Sequence, residues 1–142
     1  NLLVGTKSYG SAGGDWVITK PDHWVYEGAG LSAGDRIPGL ISWEYHGTPA
    51  DIEGLEVVAA LALYPRSHYT SPDQNHSAVV FPCKKGNWVF NAGTIWWSEG
   101  LSQPPGHTPA RTGRSGPFGV SEPVQRITRN VLDRMIVDSP RS

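Results

Sequence analysis

The chain has 142 residues and a single cysteine, Cys83. One thiol closes no internal disulfide and builds no thiolate zinc cluster. It leans the compartment toward the cytoplasm and otherwise leaves localisation open. Charge is also scarce. Only 18% of residues are charged and the formal net charge is −1, below the roughly 25% charged residues usual in soluble domains. No basic stripe appears, so the electrostatic footprint of a nucleic-acid binder is missing and no nucleic-acid partner is expected. No run approaches the roughly 20 apolar residues of a membrane-spanning helix, so no membrane partner is expected either. Strand–Gly–helix phosphate cradles, HExxH, CxxC and GxSxG are absent as well. Asn1 opens the chain without a signal-like apolar run, and LLVGT already looks strand-like. That abrupt start is expected of a piece of something longer.

What the chain has in quantity is Gly (17), Pro (12) and Trp (6), with five Tyr and three Phe. Gly and Pro at this level without a period can mark disorder. The aromatics argue against that, because disordered chains are poor in them. A folded, loop-rich segment with many tight turns is the better reading. Residues 1–142 are taken as one domain or a fragment of one.

Leu2–Gly5 reads as a short buried strand and residues 8–15, SYGSAGGD, as a small-residue loop. Trp16–Thr19 is a short extended run. Residues 28–39 carry four Gly and one Pro and read as loop. Leu40–Tyr45 is a strong strand candidate, and the first half of Leu55–Tyr64 suits a buried strand. Ala78–Phe81 and Asn87–Asn91 flank a five-residue turn and predict a hairpin. Residues 102–120 form a long Pro/Gly loop. One convincing helix follows, Glu122–Val137, with Ser121 as N-cap and Pro123 in the first turn. Its stripe is Val124, Ile127, Val131, Leu132, Met135 and Ile136, which should dock on a sheet.

Glu44 and His46 stand two apart in SWEYHG, so on a strand they share a face. A carboxylate and an imidazole there could be an acid/base pair or two metal ligands. The plainer alternative is two solvated groups on an open face, with Trp43 and Tyr45 turned to the core. Asp22-His23 in KPDHWVYEG could orient a substrate, or form an Asx-type turn after Pro21 with His23 exposed. His68 and His76 bracket a polar loop and should both be exposed, and His107 belongs to the Pro-rich loop. Trp88 and Phe90 share a strand face. Asn91-Ala92-Gly93-Thr94 is a small polar break at that strand's end, where α/β sheets often build sites. Asn91 and Thr94 are therefore candidate substrate-binding residues, or parts of a tight turn.

Five segments form one pattern: NLLVGTKSYG, KPDHWVYEGAGL with GDRIPGLISWEYHG, the GLEVV run, WVFNAGTIWWSEGL and VQRITRNVLDRM. Together they resemble the C-terminal region of the N,N-dimethylformamidase large (beta) subunit family, across about residues 1–135. The resemblance implies an α/β sheet domain of glutamine-amidotransferase type and hydrolysis of a small amide. It implies an iron held by two Tyr and a Glu that lie upstream, with no matching segment here, so no cofactor is expected in this chain. The partners implied are the upstream polypeptide or a separate subunit, and a small-molecule amide. Glu44 best matches the family's catalytic Glu, with His46 its strand neighbour, and Asn91 and Thr94 would then line a pocket wall. His23 stays a candidate substrate-binding residue from its place beside Asp22 and not from the resemblance. Ala29 replaces the family's Thr in its Gly-Thr-Gly-Leu loop, and many members have Asp where His46 stands. A non-catalytic alternative is a binding or structural module whose Trp16, Trp88, Trp96 and Trp97 face a sugar or a subunit.

Overall fold

The computed structural model describes residues 3–7, 9–62, 64–65, 75–106 and 119–138. Among these, six strands form two three-stranded sheets. The strands are β1 (Tyr9–Val17), β2 (Arg36–His46), β3 (Glu56–Ala62), β4 (Tyr64–Pro65), β5 (Asn75–Pro82) and β6 (Trp88–Asn91). The order is β2-β1-β4 in one sheet and β3-β5-β6 in the other. Every ladder is antiparallel. The described residues thus form a mixed α/β, loop-rich structure with one α-helix among them, α1 (Glu122–Asp138). A crevice at the ends of parallel strands, the reason to look for a site after Asn91, is not how these sheets are built.

Several expectations need correction. Residues 9–15, read as loop, are the first part of β1. Their small size fits close approach to the neighbouring strand: a Cβ on Gly10 would lie 2.7 Å from the Tyr45 hydroxyl. Residues 3–5, read as strand, make a turn in which Gly5 takes φ +73°. Thr6 pairs with Pro49 through an isolated bridge. Residues 36–39, read as loop, belong to β2. Pro38 and Gly39 fall where the register of β1 and β2 shifts. Such a bulge tolerates a residue without an N–H. Asp15 Oδ1 accepts the Gly39 N–H at 2.8 Å and so satisfies the interrupted ladder.

The hairpin holds, with Pro82 opposite Trp88 across the turn. β5 is the central strand of its sheet, and residues 76–81 are all buried. It therefore reads as a continuous run and not an alternating one. The register of β3 slips at Val58. The Val58 carbonyl instead accepts Thr19 N–H at 3.0 Å and the Tyr26 hydroxyl at 2.6 Å. The chain after β1 is tied to the second sheet there and by the Ile18–Ala59 bridge.

The helix forms as its sequence dictates. Ser121 C=O accepts the Gln125 N–H, the first bond of the helical ladder. Val124, Ile127 and Val131 enter the core, whereas Leu132 and Ile136 stay exposed. The nearest backbone neighbours of α1 are two single-turn 3-10 helices, Trp24–Tyr26 and Trp97–Gly100. Its buried stripe shares one core with the strand residues Trp16, Ile41 and Val80, and Asp138 accepts the indole N–H of Trp88 on β6. Asn130 Nδ2 donates to Val25 O and Glu27 O, each at 2.9 Å. Trp97 Nε1 donates to Thr128 Oγ1. No helix among the described residues is long and apolar enough to cross a membrane.

Candidate functional site

Glu44 and His46 lie within the last three residues of β2, on one face as their spacing requires. Tyr45 between them is buried, as expected of the other face. The Trp43 side chain lies outside the described residues. Glu44 is exposed and stands across from Ser11 in the ladder. His46 is half-buried and closely held. Thr6 Oγ1 lies 2.8 Å from its Nδ1 and Asn91 Nδ2 lies 3.2 Å from the same atom. Burial lowers the His46 pKa from its ordinary value, partly opposed by the Glu44 charge.

The 91–94 turn meets β2 at this point. His46 N–H donates to Gly93 O at 2.8 Å, and Tyr45 bridges Thr94. The turn therefore reaches His46 and not Glu44. Strand β6 itself pairs with β5 in the other sheet and does not lie beside β2. The polar atoms of the turn are turned inward. Asn91 Oδ1 accepts Gly93 N–H at 2.8 Å, and Asn91 Nδ2 donates to Val4 O at 2.8 Å. Thr94 Oγ1 donates to Leu40 O and accepts Trp96 N–H. Gly93 takes φ +70°, and a Cβ there would meet Ser77 O at 2.5 Å and His76 Nε2 at 2.6 Å.

His76, expected at the surface, is fully buried on β5. Its Nε2 lies 3.0 Å from Ala92 O, which also accepts the Trp16 indole N–H at 3.0 Å. Its Nδ1 has no hydrogen-bond partner. Burial drives its pKa from 6.5 to about 4, more than the Ala92 carbonyl raises it. Sequence reasoning missed both His76 and Thr6. Thr6 is 40 residues from His46, and no local pattern announces such a contact.

His23 does not join this cluster. It caps the Trp24–Tyr26 turn through Nδ1, which accepts Val25 N–H at 3.3 Å. It follows the far end of β1, whose Ser11–Val17 stretch alone spans about 20 Å. Its side chain is 6% exposed, against the expectation of an exposed ring. Its Nε2 lies 3.6 Å from Glu56 Oε1, and Glu56 is bound by Lys20 at 2.9 Å. Burial lowers the His23 pKa more than Glu56 raises it. A groove of about 660 Å³ opens here and another of about 710 Å³ along α1; neither is lined by Glu44 or His46.

Trp16, Trp88, Trp96 and Trp97 do not form the exposed aromatic face considered for them. Trp16 and Trp96 are buried, Trp97 packs on Trp16 and Phe90, and Trp88 packs on Trp24 and bonds Asp138. His68 and His107 lie outside the described residues, as do residues 107–118 of the Pro/Gly loop.

Two antiparallel sheets that meet at the end of β2, with an exposed carboxylate and an anchored imidazole on one strand face, make this a candidate site in a mixed α/β structure. Residues 1–110 match the family model described as N,N-dimethylformamidase beta subunit-like, C-terminal, and the chain belongs to that family. The match ends before α1. No curated protein and no solved structure matches the chain.

Proposed function

We propose that this chain is the C-terminal portion of a hydrolase that cleaves a small C–N (amide) bond, on a sheet domain of glutamine-amidotransferase type. Its general acid and base is Glu44. The reading rests on the exposed Glu44 carboxylate at the end of β2, beside an anchored imidazole, in a chain of this family. Glu44 takes a proton from water as the water oxygen attacks the carbonyl carbon. It returns the proton to the leaving nitrogen as the C–N bond breaks, giving an amine and a carboxylic acid. A carboxylate that works in both directions needs access to water and substrate, which an exposed position at a strand end gives.

Tyr26 and Tyr45, the tyrosines whose side chains are described, are poorly suited to the two-Tyr, one-Glu iron site that the resemblance implies. Burial raises the pKa of both Tyr26 and Tyr45, which opposes phenolate ligation, and Tyr26 already donates to Val58 O. Iron of the complete enzyme would be held by other residues.

A second subunit, or more of the same polypeptide, is the expected partner of the exposed helix side chains Ile136 (75%) and Val137 (79%). The family's description as a beta subunit supports that expectation. Release of amine from a panel of small N-substituted amides, measured on the complete subunit assembly, tests the activity. The reading fails if no amide is cleaved by an assembly shown to be folded and loaded with its metal.

A further inference from the structure

The hydrogen bonds around His46 run in one direction. Gly93 N–H donates to Asn91 Oδ1 at 2.8 Å, which fixes the amide's orientation. The Asn91 NH2 group must then face the other way. One of its hydrogens goes to Val4 O at 2.8 Å, and the other faces His46 Nδ1 at 3.2 Å. A donor that cannot flip meets Nδ1, so Nδ1 must present its lone pair. The Thr6 hydroxyl, 2% exposed and 2.8 Å from the same atom, is the nearer donor to that single lone pair, with Asn91 at 3.2 Å the longer arm of a three-centre contact.

We infer that Thr6 and Asn91 are positioning residues that hold His46 as the neutral Nε2–H tautomer, so that His46 offers a hydrogen-bond donor for the substrate's carbonyl oxygen beside Glu44. This rests on the amide-hydrolase reading for the substrate, and on geometry alone for the tautomer. A proton on Nδ1 would set N–H against N–H at 3.2 Å. Among the described residues, Glu44 on the same strand favours the imidazolium, and buried His76, neutral at pH 7, adds no charge beside it. The consequence is a division of labour. Glu44 moves protons. His46 stabilises the oxygen that gains negative charge as water attacks, through a donor already oriented before the reaction. Asn91, expected to bind substrate, acts through His46 instead.

Long-range proton–nitrogen NMR on the folded chain at pH 7 reads the tautomer directly. The expected pattern for His46 is an unprotonated Nδ1 and a protonated Nε2. A protonated Nδ1, as imidazolium or as the other tautomer, overturns the inference. In Thr6→Val the population of the Nε2–H form should fall, and Thr6→Ser should restore it. Asn91→Asp puts an acceptor where the NH2 stood and should draw a proton to Nδ1. An unchanged His46 spectrum in both Thr6→Val and Asn91→Asp overturns the positioning roles. In the active assembly, His46→Ala removes the donor and should lower kcat about 10²–10³-fold with the pH profile of kcat unmoved. Full activity, or loss of a limb of the pH profile, would overturn the donor role. The spectra need no turnover, so an assembly that cleaves no amide defeats the hydrolase reading while they decide the tautomer.

Discussion

Replacing Gly93 by alanine should be among the most damaging single-methyl additions to this chain. The residue sits at φ +70°, a region that costs an L-residue about 1–2 kcal/mol. The new Cβ would also lie 2.5 Å from Ser77 O and 2.6 Å from His76 Nε2. Ser77 O is backbone of the central strand and cannot swing aside, and overpacking of this kind costs about 1–3 kcal/mol. The sum is roughly 2–5 kcal/mol, a large fraction of a typical domain's stability. Gly86 supplies the control: its φ is +83° and nothing lies within 4 Å of a Cβ built there. Gly86→Ala should therefore show the conformational cost alone, about 1–2 kcal/mol. Urea unfolding of the parent chain and the two variants, compared at equal m-value, measures both. Equal losses in the two variants, or a loss in Gly93→Ala below about 1 kcal/mol, would refute the packing of the 91–94 turn against β5.

Three further outcomes are expected. His76 is driven from 6.5 to about 4 in the folded chain. The unfolded chain then binds more protons between those values, and stability falls as pH drops from about 6.5 to about 4. The loss is on the order of 3 kcal/mol, and a His76→Gln variant should show a flatter pH dependence of unfolding. Tyr26→Phe removes the buried hydroxyl bonded to Val58 O and should cost about 0.5–1.5 kcal/mol, read from the urea midpoint. Asn130→Ala unties α1 from the Trp24–Tyr26 turn at two carbonyls and should cost about 1–3 kcal/mol, with amide exchange in α1 accelerated.

The helix was legible in the sequence because its signals are local: Ser121 and Pro123 at the start, and Val124, Ile127 and Val131 at helical spacing. The β5–β6 hairpin was legible for the same reason, through the five residues between two apolar runs. Residues 9–15 were not, because small residues read as loop unless the Tyr45 ring packed over Gly10 is known. His76 was misplaced because a polar loop seemed to contain it, whereas it begins the buried stretch of the central strand. The pairing of Glu44 with His46 on one face follows from period two and could be read directly. The partners of His46 could not, since Thr6 and Asn91 lie 40 and 45 residues away from it.

The catalytic role of Glu44 is tested most directly by the kcat of a Glu44→Gln variant for amide cleavage in the complete, metal-loaded assembly. The substitution keeps the shape and removes the proton acceptor at an exposed position, so the fold should be undisturbed. A fall in kcat of about 10²–10⁴-fold is predicted. Full activity in the variant would contradict the assignment.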